Sequence, residues 1–263
     1  MDSPFVERKI MALLHVDCFS RTLGMCVQFD VILPQETKGQ IGMAGKGGRN
    51  YPTLYLLHGL SDDHTIWQRR TSIERYVSDM GMAVVMPSTA RCWYTDSPSG
   101  KYFSYIADEL PEICREFFPN MSSAREDTYI AGLSMGGYGA FKTALSRPER
   151  FSMAAALSGV MDVRLYGEKP EHRHIFGDTI EGTKNDLFAL AKTLAESGDP
   201  KPELFQWCGT EDALYPCNVQ MRDHLNALGF SLAYSESRGN HAWNYWDEQI
   251  QNVLGWIAQK RGR

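Results

Sequence analysis

The chain has 263 residues, 43% of them apolar, and a formal net charge of −5. A mild acidic excess with no basic run argues against nucleic acid as a partner, and no stretch reaches the ~20 apolar residues that cross a bilayer. Length and composition suit one α/β domain with a substantial core, read here as residues 11–263, with 1–10 an N-terminal extension that is either a tag remnant or an upstream start.

Two β-rich runs come first, Leu13–Phe19 and Met25–Leu33, and they predict a hairpin or neighbouring antiparallel strands. Gln35–Asn50 holds five glycines but no Gly-Lys-Ser/Thr, so it reads as a surface loop and not a phosphate loop. The period then switches repeatedly. Thr53–Leu57 predicts a strand, Ile66–Met80 a helix, Met82–Met86 a strand stopped by Pro87, and Phe103–Phe118 a helix kinked at Pro111. Thr128–Ala131 predicts a strand leading into a helix over Met135–Leu145, and Met153–Leu157 another strand. The stretch 160–200 reads as an irregular insertion over the active-site edge. Glu203–Trp207 and Ser231–Ser235 predict strands, Asn218–Leu228 a helix, and Ala242–Gln259 a last helix with Trp246, Ile250, Val253 and Ile257 at helical spacing. Strands alternating with helices predict a mostly parallel sheet covered on both faces, an α/β class.

The segment Gly132-Leu133-Ser134-Met135-Gly136 is a G-x-S-x-G motif between a predicted strand and a predicted helix. That is the setting of a nucleophile elbow, in which a strained turn lifts the serine hydroxyl out of the sheet and small flanking residues allow close approach. A serine hydroxyl needs a positioned base, and in the α/β-hydrolase order the acid and then the histidine follow the serine. His172, His174, His224 and His241 lie downstream. His224 falls inside a helix pattern, and His172 with His174 reads as a surface pair, so His241, between the last strand and the last helix, is the expected base. Asp212, just after the Glu203–Trp207 strand, is the expected acid that orients the imidazole; Glu211 is its near neighbour and Asp162 its rival. The expected oxyanion donors are the N–H groups of Met135 and of Leu60, in His58-Gly59-Leu60 after an early strand, with His58 bracing that loop. Trp67, Trp93 and Tyr94 either wall an acyl pocket or serve as packing aromatics. Nothing in the sequence calls for a metal or an organic cofactor. The six cysteines show no C-x-x-C pair, and with no signal-peptide pattern they read as free thiols of a cytoplasmic protein. Self-association is left open.

Tyr51-Pro-Thr-Leu-Tyr-Leu-Leu-His-Gly-Leu60, Trp67-Gln-Arg-Arg-Thr-Ser-Ile-Glu-Arg75, Val84-Val-Met-Pro-Ser88, Trp93-Tyr-Thr-Asp96, Gly132 to Gly139, Gly209-Thr-Glu-Asp212 and Gly239-Asn-His241 to Trp246 together resemble the small bacterial tributyrin esterases, relatives of esterase D and S-formylglutathione hydrolase. The resemblance covers nearly all of residues 11–258. It implies an α/β-hydrolase fold and hydrolysis of short acyl esters, with Ser134, Asp212 and His241 in the matching catalytic places and a small-molecule ester as partner. One departure stands: Ser61-Asp62 occupies the place of a Thr-Cys pair in the glutathione thioester hydrolases, which favours oxygen esters. Acetyl-xylan or feruloyl esters, S-formylglutathione and acyl transfer to another hydroxyl are the alternative activities. A non-enzymatic scaffold is disfavoured because every triad member is in order.

Overall fold

The computed structural model describes residues 9–36, 50–166 and 169–262. Its strands are β1 (Lys9–Ser20), β2 (Met25–Glu36), β3 (Thr53–Leu57), β4 (Ala83–Pro87), β5 (Asp96–Ser97), β6 (Gly100–Lys101), β7 (Thr128–Leu133), β8 (Met153–Leu157), β9 (Glu203–Gly209) and β10 (Leu232–Ser237). Eight of them form one sheet in the order β1-β2-β4-β3-β7-β8-β9-β10, while β5 and β6 make a small separate ribbon. From β4 through β10 all neighbours are parallel; β1 and β2 join antiparallel at one edge. This is the α/β-hydrolase fold expected from the sequence.

The apolar runs become central strands because both faces of the sheet are covered. In β3, Tyr55 and Leu57 pack toward one layer while Leu54 and Leu56 pack toward the other. The first layer contains α5 (Met135–Ser146), α7 (Leu187–Ser197), α8 (Tyr215–Ala227) and the segment 102–117. The second contains α1 (Ile66–Arg70), α2 (Ile73–Val77) and α9 (Trp243–Arg261), whose Ile250, Val253, Leu254 and Ile257 form its apolar stripe.

Several expectations change in detail. The helix predicted over 66–80 is two short helices, α1 and α2. The Thr71 hydroxyl donates to Trp67 O and accepts from Ile73 N, so the side chain takes over backbone bonds at the break. The helix predicted over 103–118 runs from α3 (Tyr102–Ser104) through a π-helical turn at Tyr105–Glu109 into α4 (Leu110–Phe117). Pro111 stands in the first turn of α4, directly after the π turn, so the N–H that proline lacks falls where the helix changes its hydrogen-bonding step. The stretch 160–200 is not irregular: it contains α6 (Pro170–Phe176) and α7. Asp186 caps α7 by accepting from Phe188 N and Ala189 N, Gly198 ends it in the left-handed conformation, and Leu187, Ala191 and Leu194 pack into the core. β1 begins at Lys9, two residues before the expected boundary. Residues 1–8, and 37–49 of the glycine-rich segment, lie outside the described residues.

Candidate active site

β7 ends at Leu133 and α5 begins at Met135, so Ser134 alone makes the turn, at φ 53° and ψ −118°. A non-glycine residue adopts this conformation only when its surroundings hold it there. Here Ser134 N–H donates to Leu157 O (2.9 Å), and Ser134 O accepts from Gly137, Tyr138 and Val160 N–H. The two flanking glycines are required by space. A Cβ on Gly132 would stand 2.4 Å from Gly136 O, and one on Gly136 would stand 2.5 Å from Leu57 O. The strand, the elbow helix and the loop after β3 can meet this closely only without those side chains.

The Ser134 hydroxyl lies 3.0 Å from His241 Nε2, and His241 Nδ1 lies 2.8 Å from Asp212 Oδ2. The Asp212 carboxylate accepts at Nδ1–H, which leaves Nε2 as the acceptor for the serine hydroxyl. The loops carrying acid and histidine are joined by their backbones: Thr210 N–H donates to Ser237 O and Glu211 N–H to Gly239 O. Asp212 Oδ1 accepts from Leu214 N–H at 2.9 Å. Burial pushes the Asp212 carboxyl up, but hydrogen bonds from His241 and Leu214 N–H outweigh that and hold it below the ordinary carboxylate range. The Trp246 ring meets the His241 ring edge to face at 4.8 Å, and its indole N–H reaches Ser158 Oγ at 3.2 Å. The rival acids are engaged elsewhere: Asp162 pairs with Arg164 at 2.7 Å and Glu211 with Arg238 at 2.8 Å. His224 bonds Phe188 O.

The loop after β3 approaches the elbow closely, since a Cβ on Gly59 would stand 3.9 Å from Ser134 Cβ. Among the described residues the N–H groups of Leu60 and Met135 donate to no acceptor, leaving both free for an oxyanion at the N-terminal end of α5. His58 braces this loop. Its Nδ1–H donates to Gly59 O at 2.7 Å, and its Nε2 accepts from Thr89 N–H at 3.0 Å. Burial lowers its pKa to about 4, so it stays neutral.

The three aromatic residues resolve as packing groups. Trp67 is 1% exposed, donates to Leu57 O and abuts Trp243. Tyr94 is fully buried, with its hydroxyl on His58 O, and Trp93 is 3% exposed among Tyr138, Tyr166, His172 and Phe176. None offers surface for a substrate to touch, so the wall role is corrected. Trp93 and Tyr94 both have positive φ, 55° and 49°, which places a strained turn directly behind the His58 loop. The expected surface pair also divides: His174 is exposed and bonds Ser99, but His172 is 3% exposed within that ring cluster.

Two contributors escaped the sequence reading. Ser158, at φ 46° after β8, supports Asp212 and anchors Trp246; the Ser-Gly pair ending an apolar strand was its only signal. Lys142, on α5 and fully buried, donates to Thr95 Oγ1 and Asn185 Oδ1, both at 2.7 Å. It ties the loop after β4 to the approach of α7. Among the described residues there is no cluster of three or more metal-ligating side chains, and no helix is long and apolar enough to cross a membrane.

A family model for esterases ("Putative esterase") matches residues 20–257. The chain is 28% identical to an acetyl esterase of Caldicellulosiruptor saccharolyticus, over 95% of this chain and 99% of that one. Among solved structures it is similar to the fluorophosphonate-binding serine hydrolase FphF of Staphylococcus aureus, at 31% identity and TM-score 0.86 over 95% and 99% of the two chains. It is also similar to the S-formylglutathione hydrolase FrmB of Staphylococcus aureus, at 31% identity and TM-score 0.83 over 94% and 99%.

Proposed function

The chain belongs to the esterase family and is a serine carboxylic ester hydrolase; from that premise we propose that it hydrolyses short acyl esters, acetyl to butyryl, through an acyl-enzyme on Ser134. The observation that carries this reading is the unbroken hydrogen-bonded line from Asp212 through His241 to the Ser134 hydroxyl. Ser134 Oγ attacks the ester carbonyl as His241 Nε2 takes its proton. The Leu60 and Met135 N–H groups receive the developing oxyanion. His241 then returns the proton to the departing alcohol, and water repeats the sequence to release the acid. Asp212 keeps the imidazole in the tautomer that can accept at Nε2 and stabilises the imidazolium.

Support for a short acyl group comes from two sides. The relatives' names specify acetyl and S-formyl groups. The rings of Trp93, Tyr138, Tyr166, His172 and Phe176, from the loop after β4, α5 and the insertion, pack against one another, which favours a short acyl pocket over a long one. The six cysteines are all unpaired, which supports placing the activity in a reducing compartment, the cytoplasm. A thioester such as S-formylglutathione is the second reading, favoured by the likeness to FrmB.

A kcat/KM series over nitrophenyl esters of rising chain length, run beside S-formylglutathione, tests both. In an open pocket each added methylene contributes up to ~0.8 kcal/mol; a closed one reverses the trend at its end wall. We expect a maximum at or below butyryl. A value that keeps climbing to decanoyl would refute the short-pocket reading, and a thioester preference of several orders would replace the oxygen ester as substrate.

A further inference from the structure

β1 is an outer strand of the main sheet. On one side it pairs with β2 in unbroken register, from Lys9 opposite Glu36 to Ser20 opposite Met25. Its other side hydrogen-bonds nothing among the described residues. A long, flat, unpaired edge is a template for another strand, and proteins usually blunt it with proline, lysine or a bulge. β1 has neither proline nor bulge, and its one lysine is Lys9, at its first residue. The opposite edge differs: β10 is half as long and ends in exposed Ser235, Glu236 and Ser237.

The outward face of this strand carries an apolar side chain on either side of a His–Asp pair. Leu13, His15, Asp17 and Phe19 alternate outward along β1. Leu13 is 38% exposed and Phe19 59%; Met25 and Phe117, next to the same hairpin end, are 51% and 49%. Phe117 shares a cleft with Cys18 and Phe19. Leu13 and Phe19 thus lie on one face of the hairpin, and Met25, paired with Ser20, on the other, so both faces of this edge expose apolar side chains.

We propose that the β1 edge pairs antiparallel with the same edge of a second copy, about a two-fold axis at Val16. A two-fold pairing puts residues whose numbers sum to a constant opposite each other, so the choice of axis can be tested against the side chains. With the axis at Val16, Leu13 faces Phe19 and His15 faces Asp17, each twice. An axis at His15 would set Leu13 against Asp17 and His15 against itself; one at Leu14 would set Leu13 against His15 and Met11 against Asp17. Only the Val16 register matches apolar with apolar and base with acid. The required atoms are unengaged. His15 uses Nδ1 on Asp30 at 2.6 Å, leaving Nε2, and Asp17 uses one oxygen on the Gln28 amide at 2.9 Å, leaving the other. On the opposite face Leu14 meets Cys18. The product is one continuous sheet through two copies, an isologous contact that closes on itself. β7 is the fifth strand in from this edge, so both elbows stay open to substrate.

Paired antiparallel residues stand about 4.5–5.5 Å apart at Cα, within disulfide range. Leu14→Cys in a Cys26→Ser background, oxidised with copper phenanthroline, should therefore crosslink to Cys18 of the other copy, and Cys18→Ser should abolish the band. By light scattering the native protein should have the mass of two chains. Phe19→Asp, at an exposed position, should halve that mass while leaving ester turnover and circular dichroism unchanged. A native protein with the mass of one chain, or a two-chain mass that survives Phe19→Asp, would overturn the proposal. A crosslink to Cys18 from Ala12→Cys but not from Leu14→Cys would overturn the register.

Discussion

Asp212 and His241 stand on opposite sides of the boundary between core and solvent, although 2.8 Å separates their bonded atoms: the Asp212 side chain is 0% exposed and that of His241 38%. A buried carboxylate is costly unless it is satisfied, and here the imidazole and the Leu214 N–H satisfy it. The exposed imidazole keeps the access to water that the second half of the proposed reaction needs.

Replacing the acid should therefore disturb orientation more than folding. Asp212→Asn is expected to lower kcat by roughly 10⁴ with KM little changed, because the amide can donate to Nδ1 and so favour the wrong tautomer. Asp162→Asn should leave kcat within a few fold, since Asp162 pairs with Arg164. The reverse pattern in steady-state kinetics would move the acid assignment to Asp162.

Ser134→Ala should lose on the order of 10⁶ in kcat and all labelling by a fluorophosphonate probe, with thermal unfolding unchanged. Retention of more than a tenth of native turnover would sink the acyl-enzyme mechanism.

Gly136→Ala tests the elbow as a packing device. Its added Cβ would meet Leu57 O at 2.5 Å and His58 O at 2.7 Å, backbone atoms that cannot swing aside. The expected loss is about 4–5 kcal/mol, the upper end for one substitution, read as a lower urea midpoint. An unchanged midpoint would show that β3 and α5 can separate without cost.

Lys142 gives a pH signature of stability. Burial lowers its pKa from 10.5 to about 7, so the folded state disfavours the ammonium. Below about 7 both states carry the proton. Between there and 10.5 the unfolded chain holds a proton that the folded one has released, so stability rises with pH across that window. The rise attributable to this group is on the order of 4–5 kcal/mol at 1.36 kcal/mol per unit. Lys142→Met should flatten the increase in urea midpoint between pH 7 and 9.5. Parallel profiles for variant and native protein would show that the lysine keeps its charge in the core.

What the sequence disclosed follows from which signals are local. The central strands were readable because sheets covered on both faces need continuous apolar runs, as at Thr53–Leu57 and Met153–Leu157. The meeting of Ser134, Asp212 and His241 was readable because strand ends and chain order limit the candidates. The break at Thr71 was hidden because it depends on one hydroxyl choosing a backbone partner. Trp67, Trp93 and Tyr94 were ambiguous because an aromatic near a site looks the same whether it faces in or out. For Trp93 and Tyr94 the outcome lies in positive φ angles at non-glycine residues, which composition does not announce. The helix α7 was legible in principle, with Asp186 and Gly198 as its caps, but the charged residues preceding it obscured the pattern.

Four backbone hydrogen bonds hold Ser134 in its positive-φ turn, and none of them involves the hydroxyl. The aim of the proposed nucleophile is thus a property of the main chain. Position 134 behaves as an address: whatever side chain is installed there leaves from the same point in the same direction. A thiol delivered by Ser134→Cys would face the same carbonyl and the same two N–H donors, so the reacting element could change while the trajectory persisted. Alignment also needs no separate event during turnover. Once β7 and β8 have closed their part of the sheet and α5 has docked, the weapon is already pointed, and each new substrate meets a geometry that was settled when the protein folded.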